Sequence, residues 1–226
     1  MSDEDLILDV GDFKERYLVC DEMMASGDCC PENSIHFIKK VQLKLDEVEA
    51  IVDAELKNHA FDEAPIFLVS AGSQYISAEE NGWTPENIKH RSSELINIAR
   101  QTYKEIFKSL EKFVKERECV IVFCQLLPLP SEQDGDDVAG EEVFLKDVVS
   151  RLFVDVNKMI EKFNTDQHMI TPVVSSVLDK GKKHGSYPSK QLRIKHKMYS
   201  DVVNNVVSEK AKQLMMNSAI RYLQTN

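Results

Sequence analysis

Hydrophobic positions along the chain fall into two alternating patterns. Short continuous apolar runs are bounded by proline, glycine or acidic residues, and between them lie longer stretches in which apolar residues recur every three or four positions. The runs read as strands buried on both faces, and the longer stretches as amphipathic helices. Strands are expected at Arg16 to Cys20, Ile35 to Val41, Ile66 to Ser70, Cys119 to Leu127 and Ile170 to Val174. Pro65 opens the third, and Pro128 and Pro130 stop the fourth.

The first helix is expected over about Leu45 to Asn58, with Leu45, Val48, Ile51, Val52 and Leu56 on one face. Thr84-Pro85-Glu86 carries the start signals of the second: an amide-accepting hydroxyl, a proline for the first turn and an acid at the positive dipole end. Its apolar face, from Ile88 through Leu95, Ala99, Tyr103 and Leu110 to Phe113, continues to about Glu116. Two more helices are expected, at about Glu141 to Phe163 and Ser208 to Leu223. Strand–helix alternation with right-handed crossovers predicts an α/β fold: a three-layer α/β/α sandwich around a five-stranded parallel sheet. In such sheets ligands bind beyond the carboxyl ends of the strands. The loops after Cys20, Val41, Ser70 and Leu127, and the segment before the last helix, are therefore where a site is sought.

The chain has 226 residues, of which 42% are hydrophobic and 29% charged, a composition able to bury one substantial core. We divide it into an acidic N-terminal extension, 1–13, and one domain, 14–226. The net charge is −10, which disfavours nucleic acid and anionic lipid at long range. One segment is an exception: Asp179 to Lys197 holds seven Lys/Arg and one acid, so it is +6 against −16 for the remainder. No apolar run approaches the roughly 18–20 residues that span a bilayer, and no membrane association is expected. The acidic N-terminus does not read as a signal peptide. With five cysteines, an odd number, reduced thiols in the cytosol or nucleus are expected.

The rims of the expected strands carry a resemblance. The first strand ends in Cys20-Asp21-Glu22, the second is followed by Gln42, the third by Gly72-Ser73-Gln74-Tyr75, and the fourth runs into Leu127-Pro128-Leu129-Pro130. In this order and spacing the blocks resemble those of the SGNH (GDSL-type) hydrolases, from roughly Lys14 to Leu223. The resemblance implies a flavodoxin-like strand order, 2-1-3-4-5. It also implies where the chain departs from the family. The family's Gly-Asp-Ser nucleophile is matched by Cys20-Asp21-Glu22. Its oxyanion-hole glycine is matched by Gln42, and its Gly-x-Asn-Asp by Gly72-Ser73-Gln74-Tyr75. No Asp-x-x-His, the family's base and its orienting acid, occurs in the chain.

Acyl transfer needs a nucleophile, a base to take its proton, and oxyanion donors. With Glu22 in place of serine and no histidine in the last block, a degenerate site is expected at Asp21, Glu22, Gln42, Gly72 and Gln74. The same residues also read as ordinary loop carboxylates and a strand-ending turn. Cys29-Cys30 is flanked by Asp28 and Glu32, which disfavour a thiolate, and adjacent cysteines are not the usual zinc spacing. No Gly-x-Gly-x-x-Gly and no Gly-x-x-x-x-Gly-Lys-Ser/Thr is present, so no nucleotide cofactor and no metal is expected.

These readings give a non-catalytic interaction module. A protein partner is expected, with RNA as a further candidate. Lys182, Lys183, Lys190, Arg193, Lys195 and Lys197 would contact phosphates, while Tyr187 and Tyr199 would stack on bases. The plainer reading of that segment is a solvated loop. The combination is similar to the C-terminal domain of the germ-plasm protein Oskar, an SGNH-like fold that lacks the catalytic residues and binds RNA. The alternative is a rewired esterase or acyl hydrolase, using Glu22 or a cysteine with His184 or His196 returned to the pocket.

Overall fold

The structure, a computed structural model, describes residues 15–21, 35–40, 43–71, 85–126, 140–172, 199–201, 206–207 and 209–226. Four parallel strands form the sheet: β1 (Arg16–Asp21), β2 (Ile35–Lys40), β3 (Ile66–Ser70) and β4 (Val120–Phe123), in the order β2-β1-β3-β4. A 3-10 turn (Leu45–Glu47) leads into α1 (Val48–Asn58) between β2 and β3. Helix α2 (Pro85–Arg117) joins β3 to β4, and α3 (Gly140–Asp166) follows β4. Two short antiparallel strands, β5 (Tyr199–Asp201) and β6 (Val206–Val207), precede the last helix, α4 (Glu209–Thr225).

Alternation along the strands divides the core. Tyr17, Val19, Phe67, Val69, Ile121 and Phe123 point to one face, where α1, α2 and α3 pack. Leu18, Cys20, Ile66, Leu68, Val122 and Cys124 point to the other, covered by Ala211, Met215, Met216, Ala219 and Leu223 of α4. The strands are thus apolar on both sides, which is why the sequence shows them as unbroken runs. Phe107, Phe123 and Phe163 close the first layer, with ring centroids 5.4–5.5 Å apart. Arg91 leaves helical geometry (φ −133°, ψ 23°), so α2 is two helical pieces joined at a kink rather than one straight rod.

The fifth strand is not found among the described residues. Residues 169–172 of the expected Ile170–Val174 region are coil, and 173–174 lie outside the described residues. The physical reason lies on the outer edge of β4, where side-chain amides of α3 and of the turn after it take the place of a strand. Gln167 accepts from Ile121 N (3.1 Å) and donates to Ile121 O (2.8 Å). Asn164, wholly buried, does the same for Phe123 (3.0 and 2.9 Å) and also donates to Thr171 Oγ1. Asn157 accepts from Leu126 N at 2.8 Å. A carboxamide has the donor and acceptor of a peptide group, so each one satisfies a residue that a neighbouring strand would otherwise pair. Among the described residues, the returning chain meets the segment after β4 at Pro172, whose carbonyl accepts from Gln125 N at 3.2 Å.

Candidate functional site

The carboxyl ends of β1, β3 and β4 form a level rim. Cys20 is paired with Ser70, and Cys124 follows the last β3–β4 pair, Val69 and Phe123, with its N–H on Val69 O at 2.8 Å. Cys20, Ser70 and Cys124 therefore form a row across three strands. With Leu18, Met215, Met216 and Ala219 they enclose a cavity of about 20 Å³. That volume has room for about one water molecule and for no substrate.

Cys124, in this row, is a poor nucleophile. Burial, with a contribution from Cys20, pushes the Cys124 thiol up to about 12. Burial likewise pushes Cys119, at the foot of β4, to about 12, with the carboxyl-end positive charge of Arg117 opposing. A thiol in that range is protonated near neutrality and does not attack. Cys20 and Cys124 sit on strands separated by β3, about 9.6 Å apart by strand spacing, beyond the reach of a disulfide.

Of the residues singled out in the sequence, Asp21 is the last paired residue of β1, in register with Lys40. Glu22, Gln42, Gly72 and Gln74 lie outside the described residues, as do Lys182, Lys183, Tyr187, Lys190, Arg193, Lys195 and Lys197. His184, His196, Cys29 and Cys30 also lie outside them. His36 is at the opposite end of the sheet from the rim. It stacks on Tyr17 (centroids 4.9 Å) and its Nε2 meets Glu15 Oε2 at 2.7 Å. Among the described residues, no group of three or more His, Cys, Asp or Glu could hold a metal ion.

Asp201 closes β5, ahead of the final helix; Asn204, three residues on, lies outside the described residues.

A larger open groove, of about 600 Å³, lies away from the rim between α1 and the end of α2. Two of its acids, Asp53 and Glu49, are engaged within the fold. Asp53 pairs with Lys57 and, at 2.7 Å, with Arg117, which together hold its carboxyl below the usual range; Glu49 accepts from Ser109 at 2.8 Å.

No family model matches the chain, and no curated protein sequence matches it. Solved structures do. An extracellular lipase from Streptomyces rimosus superposes with a TM-score of 0.58 at 11% identity, over 92% of this chain and 99% of that one. A phospholipase A1 from Streptomyces albidoflavus gives 0.57 at 10% identity, over 93% and 99%. A member of the lipolytic G-D-S-L family from Veillonella parvula gives 0.54 at 10% identity, over 93% and 100%. At these identities the likeness establishes the fold, an SGNH-like α/β domain, and carries no residue's role across.

Proposed function

We propose that this chain uses an SGNH-like fold as a binding module and does not catalyse acyl transfer. The reading rests on the rim of β1. Asp21 is the last paired residue of β1, and Glu22, next in sequence, is the residue that the resemblance matches to the family's serine. A carboxylate there would need a base to activate water against an acyl anhydride. Asn204, at the spacing of the family's histidine, is an amide and takes no proton near neutrality. Loss of a nucleophile or base costs about four to six orders of magnitude in rate. A protein partner is the expected ligand, and RNA is the candidate for the +6 segment.

The rival reading is a hydrolase of small esters, and the lipolytic character of the superposed structures favours it. Short-chain p-nitrophenyl esters separate the two. The binding-module reading expects release no faster with the protein than with its Glu22→Gln variant. Turnover present in the protein and lost in that variant would establish the hydrolase. In parallel, RNA binding across a salt series tests the basic segment. The comparison protein has Lys182, Lys183, Lys190, Arg193, Lys195 and Lys197 changed to Ala.

A further inference from the structure

The two edges of the sheet differ. The outer edge of β4 is sealed by carboxamides, whereas the outer edge of β2 has no backbone partner among the described residues. Its side chains are half apolar: Ile35 is buried, Phe37 and Ile38 are half-buried against the two core clusters, and His36 and Lys39 are exposed. A bare edge of this kind is a template for another strand. The chain enters the sheet beside it, because Glu15, immediately before β1, meets His36 of β2 at 2.7 Å.

We propose that the outer edge of β2 is a strand-docking site, and that its occupant is the segment 5–10 of this chain, added antiparallel. Two observations select that occupant. The first is charge: residues 1–13 carry five acids and no Lys or Arg, and β2 ends in Lys39-Lys40. The second is register. With Val10 opposite Ile35, Asp9 meets His36, Leu8 meets Phe37, Ile7 meets Ile38, Leu6 meets Lys39 and Asp5 meets Lys40. Apolar residues then face apolar residues at three levels of the edge, Ile35, Phe37 and Ile38, and Asp5 and Asp9 meet Lys40 and His36. A slip by one residue sets Asp9 against the buried Ile35 and leaves two of the three apolar pairs.

The connection is long enough. Residues 11–15 must cross about two strand spacings, roughly 9.6 Å, and five residues reach about 17 Å. Gly11 supplies conformational freedom where the chain must turn. An antiparallel strand at the edge of a parallel sheet is a common arrangement.

Amide hydrogen exchange across Ile35–Lys40 in the full chain tests this. Alternate β2 amides, those on the outer edge, should exchange at least about tenfold slower than in a full-length Leu8→Asp variant. The β3 amides, covered on both sides, should be unchanged and report that the sheet is intact. The triple change Asp3→Lys, Glu4→Lys, Asp5→Lys should also speed β2 exchange. Equal exchange in the parent and Leu8→Asp chains would overturn the proposal. So would protection that rises with protein concentration, which would assign the edge to a second copy.

Discussion

At the level of single residues, Asn164 is the most constrained polar group of the described residues. Its side chain is wholly buried and serves Phe123 N, Phe123 O and Thr171 Oγ1. Asn164→Ala leaves both backbone groups of Phe123 without a partner in a dry place, so a loss of about 2–4 kcal/mol is expected in urea unfolding. Asn164→Asp keeps the shape but sets a carboxylate against the Phe123 carbonyl. Burial raises the folded pKa of that acid above its unfolded value. The variant's deficit should therefore shrink on acidification below the unfolded pKa and grow as the pH rises through it. The buried thiols carry the same sign at the alkaline end. Cys119 and Cys124 stand at about 12 against an ordinary 9.0, and burial also raises Tyr222 to about 12 from 10.0. Above about pH 9 the unfolded chain releases these protons and the folded chain retains them. Stability should thus be level below that pH and fall steadily toward about pH 12, which a pH series of urea midpoints reads directly. Thiol labelling of the native protein near neutrality should spare Cys20, Cys119 and Cys124, which react only once the chain is unfolded.

At the level of elements, the sequence made the strands and helices legible where the apolar pattern had one cause. β3 falls at Ile66–Ser70 as expected, and α1, α2 and α4 lie within a few residues of their expected ends. The pattern misled at Ile170–Val174, because an apolar run does not reveal whether an edge is free to receive it. That information sat on another element, in Asn157 and Asn164 of α3, seven residues apart on one helical face, and in Gln167 of the turn that follows. Such amides read as solvent-facing until the strand they serve is known. β5 and β6 were missed for a different reason: each is only two or three residues long, too short for any alternation to register. The edge cap makes a local prediction. Gln167→Ala should speed exchange of the Ile121 amide, which it alone holds at 3.1 Å. The amides of Val120 and Cys124, bonded to Pro65 O and Val69 O on the β3 side, should be left nearly as they were. Equal acceleration of all three would mean that the carboxamide supports the whole strand rather than its edge.

At the level of the whole molecule, the layering was legible because strand–helix alternation dictates it, while the strand order came from the family resemblance; the superposed solved structures cover more than nine-tenths of the chain. The site was legible only as a set of departures from a family's blocks. Glu22, Gln42, Gly72 and Gln74 fall between the periodic stretches of the sequence, where the hydrophobic pattern carries no signal. Charge is the one property that transfers from sequence to the whole molecule without that pattern. A chain of −10 with a +6 segment repels RNA at distance and attracts it locally, so any binding must be steeply salt-dependent. If all six cations contact a single strand, log K against log salt should fall with a slope of about −4, and each cation removed should flatten it by about 0.7. The six-alanine variant should then have a slope near zero and no measurable affinity at physiological salt. A parent slope well short of about −1 would mean that fewer than two phosphates are engaged, too few to overcome the acidic remainder. The binding function would then belong to a protein partner, recognised on a surface other than the basic segment.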